Sequence, residues 1–330
     1  MIEAQGLTRT YGDFTAVDHV SFQIGAGEIV GLLGHNGAGK TTIMKMLTGY
    51  LEPSAGTVMV GGMAIDAARR EIQQKIGYLP ENCPLYPEMT IIDYLQYAAQ
   101  LRHIPAPSRA AAIRTAIDHT ELNDKAQQSI NTLSRGYRQR VGVAQAILHR
   151  PEILILDEPS NGLDPSQIQH MRELITGFGK SSTVILSTHI LQEVHAICDR
   201  VIIIRNGAIA LDARIDELQH TSRLLLATDR APNATQPLLK QCEGITAVDH
   251  LYEKDQQHHY ALQLASDNDT AGDAKSSANN AMKRAPQVAE KLIGNGFKLY
   301  ALHPEQRDLE SVFREINRTA ETSTGELAHA

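Results

Sequence analysis

The sequence of 330 residues lacks paired cysteines, long apolar runs and blocks of like charge, and each lack removes a class of protein. Its three cysteines, Cys83, Cys198 and Cys242, are far apart and outside any CxxC or Cys/His array. They read as reduced thiols, with neither a disulfide framework nor a zinc site expected. No apolar stretch reaches the roughly 18 residues that a membrane span needs. The start, Met1-Ile2-Glu3-Ala4-Gln5, has no basic segment leading into an apolar core, so a chain that neither crosses a membrane nor is secreted is expected. The net charge is −7, which together with the missing charge blocks argues against nucleic acid as a partner. What remains is a long intracellular chain whose length exceeds the usual ~100 to 200 residues of one domain, so two domains are expected.

The most informative segment that is present is Gly34-His35-Asn36-Gly37-Ala38-Gly39-Lys40-Thr41, which fits GxxxxGK[ST]. It follows an apolar run, Ile29 to Leu33, and precedes an apolar helical pattern through Ile43, Met44, Met46 and Leu47. Glycines let such a loop curl its N–H groups inward, and the helix adds its positive end, which together hold a polyphosphate. Lys40 then reaches the β- and γ-phosphates, and the Thr41 hydroxyl ligates magnesium. A ligand-free Gly-rich turn is the plainer alternative, and the strand-loop-helix context weighs against it.

Along the rest of the chain, short strands are predicted before residue 30, at Gly56 to Gly62 and at Ile76 to Pro80. Helical spacing begins at Thr90 and continues over Ser108 to His119, marking a helical insert over about 84–150. From Leu133 strands and helices alternate, with Ile153 to Leu156 reading as a strand buried on both faces. This is a doubly wound α/β pattern. After about residue 220 a second unit reads strand, helix, strand, strand, helix, strand, a ferredoxin-like α+β order, with a helix from Asp308 to Ile316. A mobile loop over 266–285 and a frayed tail over 321–330 complete the expectation.

Asp157-Glu158 ends the Ile153 to Leu156 strand, where the crevice of an open α/β sheet places ligands. Asp157 suits the metal and its water, and Glu158 can deprotonate the water that attacks the γ-phosphate. With Leu133-Ser134-Arg135-Gly136-Tyr137, Gly162-Leu163-Asp164-Pro165 and Ser187-Thr188-His189 falling in order after the phosphate loop, residues 2 to 220 resemble an ATP-binding-cassette (ABC) transporter ATPase. Tyr78-Leu79-Pro80-Glu81-Asn82 and Tyr137-Arg138-Gln139-Arg140 bring it nearest to the single-cassette exporter subunits of the drug-resistance, gliding-motility and nitrous-oxide-reductase-maturation types.

That resemblance implies a P-loop cassette with a mixed sheet core, an antiparallel β subdomain and an α-helical subdomain over residues 1–220, and an accessory or regulatory domain over 221–330. It implies an ATPase that uses ATP and Mg2+. The nucleotide falls to Tyr11, which matches the adenine-stacking aromatic, to Gly34, Asn36, Gly37, Ala38, Gly39, Lys40, Thr41 and Thr42, and to Glu81, Asp157 and Asp164. Glu158, His189 and Lys40 match the catalytic positions, and Thr41, Glu81 and Asp157 the magnesium positions. Ser134 and Gly136 match the residues that meet the γ-phosphate of a second copy, so a head-to-tail homodimer and an integral membrane permease are the implied partners. The location implied is cytoplasmic, on the inner face of the plasma membrane through the permease.

Three positions depart from the family pattern: Arg135 and Tyr137 replace Gly and Gln, and Glu81 replaces Gln. Glu81 keeps the capacity to bind magnesium and loses amide donors. The Pro84-Leu85-Tyr86-Pro87-Glu88-Met89 segment, with its apolar and aromatic groups, fits either a docking surface for the permease or local core. Competing readings are a soluble cassette acting on nucleic acid, which lacks the basic patches and tandem repeat it needs, and an ATP-dependent assembly or regulatory module not coupled to transport. His258-His259 reads as exposed strand residues.

Overall fold

The structure is a computed structural model that describes residues 1–242, 244–265 and 274–306, with Glu310 and Phe313. Alternating burial sets β1 (Ile2–Tyr11) and β2 (Phe14–Ile24), which turn back on one another through Gly12-Asp13. β3 (Ile29–Leu33) is buried at every position, as a strand covered on both faces must be. The loop of the GxxxxGK[ST] pattern joins it to α1 (Lys40–Leu47), which buries Ile43, Met44, Met46 and Leu47. Next come β4 (Ala55–Val60), β5 (Met63–Ala64), α2 (Ile65–Lys75) and β6 (Ile76–Leu79). One antiparallel sheet has the order β2-β1-β4-β5.

Three helices follow: α3 (Ile91–Leu101), α4 (Ala106–His119) and α5 (Arg135–Ile147). Thr90 caps α3 by accepting the Asp93 N–H at 3.1 Å. The helices pack on one another and bury Tyr94, Leu95, Ile113, Ile117, Val141 and Ala144.

The chain then returns to the core through β7 (Ile153–Asp157), α6 (Pro165–Gly179), β8 (Thr183–Thr188), α7 (Leu191–Ile197), β9 (Arg200–Arg205) and β10 (Ala208–Arg214). A six-stranded sheet has the order β10-β9-β3-β8-β7-β6, with β9, β3, β8, β7 and β6 running parallel. Register aligns Leu33 with Thr188 and Asp157 with Ser187. The carboxyl ends of three central strands therefore open on the same edge, where loops rather than strands take over. Beneath that edge a shared core joins Val30, Leu32, Ile43, Met44, Ile155 and Ile185.

The chain divides into two units, Met1–Ala213 and Arg214–Ala330. In the second, α8 (Ile215–Gln219) leads into β11 (His220–Thr228), α9 (Pro232–Lys240), β12 (Ile245–Lys254), β13 (Gln257–Leu264), α10 (Ala274–Gly294) and β14 (Leu299–Gln306). The strands form an antiparallel sheet of order β12-β13-β11-β14 over a core of Leu224, Leu226, Leu239, Tyr260, Leu262 and Leu292.

Two elements carry no clear periodic signal. α2 buries only Ile65 and Ile72 and departs from helical geometry at Ala68 (φ −125°, ψ 30°), so its apolar stripe is too thin to register. β10 follows the Asn206-Gly207 turn, where both residues have positive φ. Of the loop predicted over 266–285, residues 266–273 lie outside the described residues, and 274–285 are helical as the first part of α10. Ala274, Lys275, Ala278, Ala281 and Met282 are good helix formers, and that propensity outweighs the polar composition that suggested a loop. The helix predicted from Asp308 to Ile316, apart from Glu310 and Phe313, and the tail over 321–330 lie outside the described residues.

Candidate functional site

A cleft of about 460 Å³ opens at the carboxyl edge of the central sheet, between the β1–β2 hairpin and the start of α1. Gly37, Gly39, Lys40, Thr41, Thr42 and Asn36 form its floor. Gly39 takes φ 109°, and a Cβ there would fall 2.6 Å from the Ala16 carbonyl oxygen, so conformation and crowding both demand glycine. Gly34 answers to crowding alone, because its Cβ would sit 2.5 Å from the Ile204 carbonyl oxygen. Ala38 is buried within the loop, and its carbonyl accepts the Gly207 N–H at 3.0 Å. α1 begins at Lys40 with no side-chain cap on its first turn, which leaves N–H groups for an anion.

The Lys40 ammonium donates to the carbonyls of Gly34 (2.7 Å) and His35 (3.3 Å) and lies 3.2 Å from Glu158 Oε1. Both side chains of that ion pair are almost fully buried. Glu158 holds a left-handed backbone (φ 49°), fixed by its N–H donating to Ser187 Oγ at 2.9 Å. Its other oxygen, Oε2, accepts from His189 Nδ1 at 2.9 Å. Asp157 Oδ1 accepts from Ser187 Oγ at 2.5 Å and Thr41 Oγ1 at 3.2 Å. Burial raises the Asp157 carboxyl above the ordinary range, the two hydroxyls oppose that, and the negative charges of Glu81 and Glu158 add to it. Its Oδ2 is buried and accepts no hydrogen bond among the described residues. Carboxylate and hydroxyl oxygens gathered around one orphaned carboxylate oxygen are the donor set that magnesium takes.

Glu81 lines the same cleft and accepts from Asn161 Nδ2 at 3.4 Å. Tyr11 lies at the cleft mouth, 48% exposed, with the Arg9 guanidinium 4.7 Å from its ring centroid.

Ser134, Gly136 and Asp164 do not line this cleft. Ser134 and Asp164 are exposed at the starts of two helices instead, and Gly136 is buried between those helix starts. Ser134 caps α5 by accepting the Tyr137 N–H at 3.4 Å, and Asp164 caps α6 by accepting the Gln167 N–H at 3.0 Å. A Cβ on Gly136 would meet the Gln167 side chain at 2.5 Å, and one on Gly162 would meet the Arg135 guanidinium at 2.5 Å. The start of α5 thus rests on the turn that leads into α6.

Three contributors escape the sequence motifs. Ser187, buried beneath Asp157 and Glu158, sits inside the Ser-Thr-His run, and only its register opposite Asp157 reveals its task. Phe14 lines the cleft and pairs with Tyr11 across the hairpin, a placement that the two-residue Gly12-Asp13 spacing hints at. Asn161 has no such signal. Tyr86 stands half over a separate groove of about 510 Å³ beside Tyr50, Tyr94 and Tyr97, with its ring 5.5 Å from that of Tyr97. Cys83 nearby is half-buried, and its desolvation pushes the thiol up to about 12, which makes thiolate scarce at neutral pH.

Comparison with known proteins adds four findings. A family model described as ABC transporter matches residues 17–161. The uncharacterized ABC transporter ATP-binding protein YdbJ of Bacillus subtilis is 30% identical over 99% of this chain and 98% of its own length. The linearmycin resistance ATP-binding protein LnrL of the same organism is 36% identical over 66% of this chain and 70% of its length. Among solved structures, the dimeric post-hydrolysis form of the cassette MJ0796 bound to ADP and Pi aligns with TM-score 0.60 and 24% identity, over 65% of this chain and 98% of that one. At that identity the likeness is one of fold.

Proposed function

The chain belongs to the ABC transporter ATP-binding family, and from that premise we propose that it forms half of a head-to-tail dimer that binds two MgATP and drives a separate membrane permease in the export direction. It is an ATP-binding subunit of an ABC transporter and an ATPase that uses ATP with Mg2+. The observation that carries the proposal is the single network of Lys40, Thr41, Asp157, Glu158 and His189, drawn together although Thr41 and Asp157 lie 116 residues apart.

In this reading Tyr11 and Phe14 stack on adenine, while the N–H groups of residues 36 to 41 cradle the phosphates. Lys40 leaves the Gly34 and His35 carbonyls for the β- and γ-phosphates. That move releases Glu158 from its ion pair, so its carboxylate becomes free to take a proton from the attacking water. His189 keeps the carboxylate oriented through its Nδ1 and presents its other ring nitrogen toward the γ-phosphate. Thr41 and Asp157, with Glu81, would hold magnesium, whose charge offsets that on the phosphates. Ser134 and Gly136 serve the γ-phosphate of a second copy, and Asp164 stands where the two sites meet. Their gathering apart from the cleft lining supports this division of labour.

The name of the linearmycin resistance relative supports export, and the dimeric form of the solved cassette supports pairing. The aromatic groove around Tyr86 suits a short helix of the permease. No helix among the described residues is long and apolar enough to cross a membrane, so attachment to the inner face of the plasma membrane would run through that partner. The order β12-β13-β11-β14 supports a ferredoxin-like accessory domain for the second unit.

Glu158→Gln tests the assignment. Loss of a general base is expected to slow ATP hydrolysis by about 10²- to 10⁴-fold while ATP still binds. Hydrolysis at the wild-type rate would remove Glu158 from the mechanism.

A further inference from the structure

A second cavity, of about 340 Å³, lies at the far ends of the elements that carry the site. Its walls are Ile147 and Leu148 at the end of α5, Leu154 in β7 and Phe178 near the end of α6. Ser134, Asp157 and Asp164 stand at the opposite ends of those same three elements. The volume falls in the roughly 300–1,000 Å³ range of small-molecule sites, and the lining is largely apolar as such sites are.

The polar groups at the mouth decide what kind of molecule fits. Arg150 is the one cationic residue whose charge is permanent there, and no acidic residue lines the cavity in a chain of net charge −7. Among the described residues the Arg150 guanidinium makes no hydrogen bond or ion pair. It is presented from a tight turn, with φ 53° at Arg150, immediately before Pro151. His119 stands across the mouth with its ring 5.9 Å from that of Phe178 and adds a ring nitrogen for hydrogen bonding. A planar guanidinium beside an aliphatic and aromatic wall matches a carboxylate on a hydrocarbon body, which it can grip through two parallel hydrogen bonds. A polyphosphate would need more cations than this mouth holds.

We propose that this cavity binds a small amphiphilic monocarboxylate, with its apolar body against Leu148, Leu154 and Phe178 and its carboxylate on Arg150. The bound molecule touches all three elements that reach the nucleotide edge, which makes this a second ligand site on the same unit.

Calorimetric titration of decanoate into the full chain tests this directly. Wild type is expected to show saturable binding, with decanol, which lacks the charge, at least about 10-fold weaker. Arg150→Glu is expected to weaken decanoate at least about 10-fold by reversing the charge it meets. Thr115→Trp, on the half-buried rim, fills the cavity and is expected to abolish binding, with Ala112→Leu as a smaller filling if circular dichroism shows the first variant to be unfolded. Arg70→Glu, an exposed charge elsewhere, keeps wild-type binding. The proposal is overturned by the absence of saturable binding to wild type, or by wild-type affinity in both the Arg150→Glu and the cavity-filling variants.

Discussion

Lys40 and Glu158 form a buried ion pair at 3.2 Å, and the fate of that pair governs what single substitutions do. Removing one partner leaves the other charge buried and uncompensated, which costs about 3–5 kcal/mol in well-enclosed pairs. Lys40→Ala is therefore expected to lower thermal stability measurably, and Lys40→Ala with Glu158→Gln to recover part of the loss, since the orphaned charge is gone. Denaturant unfolding of the two singles and the double reads the coupling directly. Asp157 responds to pH in the opposite sense from a paired carboxylate. Its raised pKa means that the folded chain still holds this proton at pH values where the unfolded chain has released it. The stability it contributes is thus present in acid and lost as pH rises through the folded pKa. Magnesium competes with that proton, so the rise in melting temperature on adding Mg2+ is expected to shrink as the solution is made more acid, and to shrink in Asp157→Asn. A shift independent of pH would take the metal away from Asp157. At this scale the motif residues were legible because phosphate and metal chemistry demand particular side chains. Ser187 was not, because a serine in a strand announces nothing until β7 and β8 are in register.

At the scale of elements, α5 is tied to the sheet by His149, which lies just beyond it and whose Nε2 contacts the Ile76 carbonyl at 3.1 Å. Burial, with the nearby Arg102 charge, pushes His149 down to about 4, and the hydrogen bond opposes this only in part. Between pH 6.5 and that value the unfolded chain takes up a proton that the folded chain refuses. Stability is expected to fall as pH drops through this window, by up to about 1.4 kcal/mol per unit. His149→Gln should flatten the slope, and a melting series from pH 7 to pH 5 on both proteins measures it. The loop before α1 obeys backbone geometry more than charge. Gly39→Ala would have to hold φ near 109° and push against the Ala16 carbonyl, so a loss of ATP affinity together with a lower melting temperature is expected. Which elements could be read beforehand follows from the same physics. Fully buried strands such as β7 and amphipathic helices such as α3 stand out because burial imposes a pattern. α2 and the first part of α10 do not, because the former is held by two isoleucines and the latter's polar composition hid its helix propensity.

At the scale of the whole molecule, the cleft is lined by the phosphate loop, Glu81 and Glu158, with Asp157 bonded to Thr41 and His189 to Glu158, while Ser134, Gly136 and Asp164 lie outside its lining. In the proposed head-to-tail pair each copy would complete the site of the other, and a symmetric pair would complete two sites at once. Mixing two disabled variants measures this most directly. Lys40→Ala disables a subunit's own phosphate loop, and Ser134→Arg disables what it offers to its partner. Each variant alone is expected to hydrolyse ATP at a small fraction of the wild-type rate. In a mixed pair one site combines both defects, and the other combines the intact loop of one subunit with the intact Ser134 of its partner. An equimolar mixture is therefore predicted to regain about a quarter of wild-type activity if sites act independently, since about half the dimers are mixed and each has one sound site. A mixture no more active than the two variants measured separately would contradict the shared site.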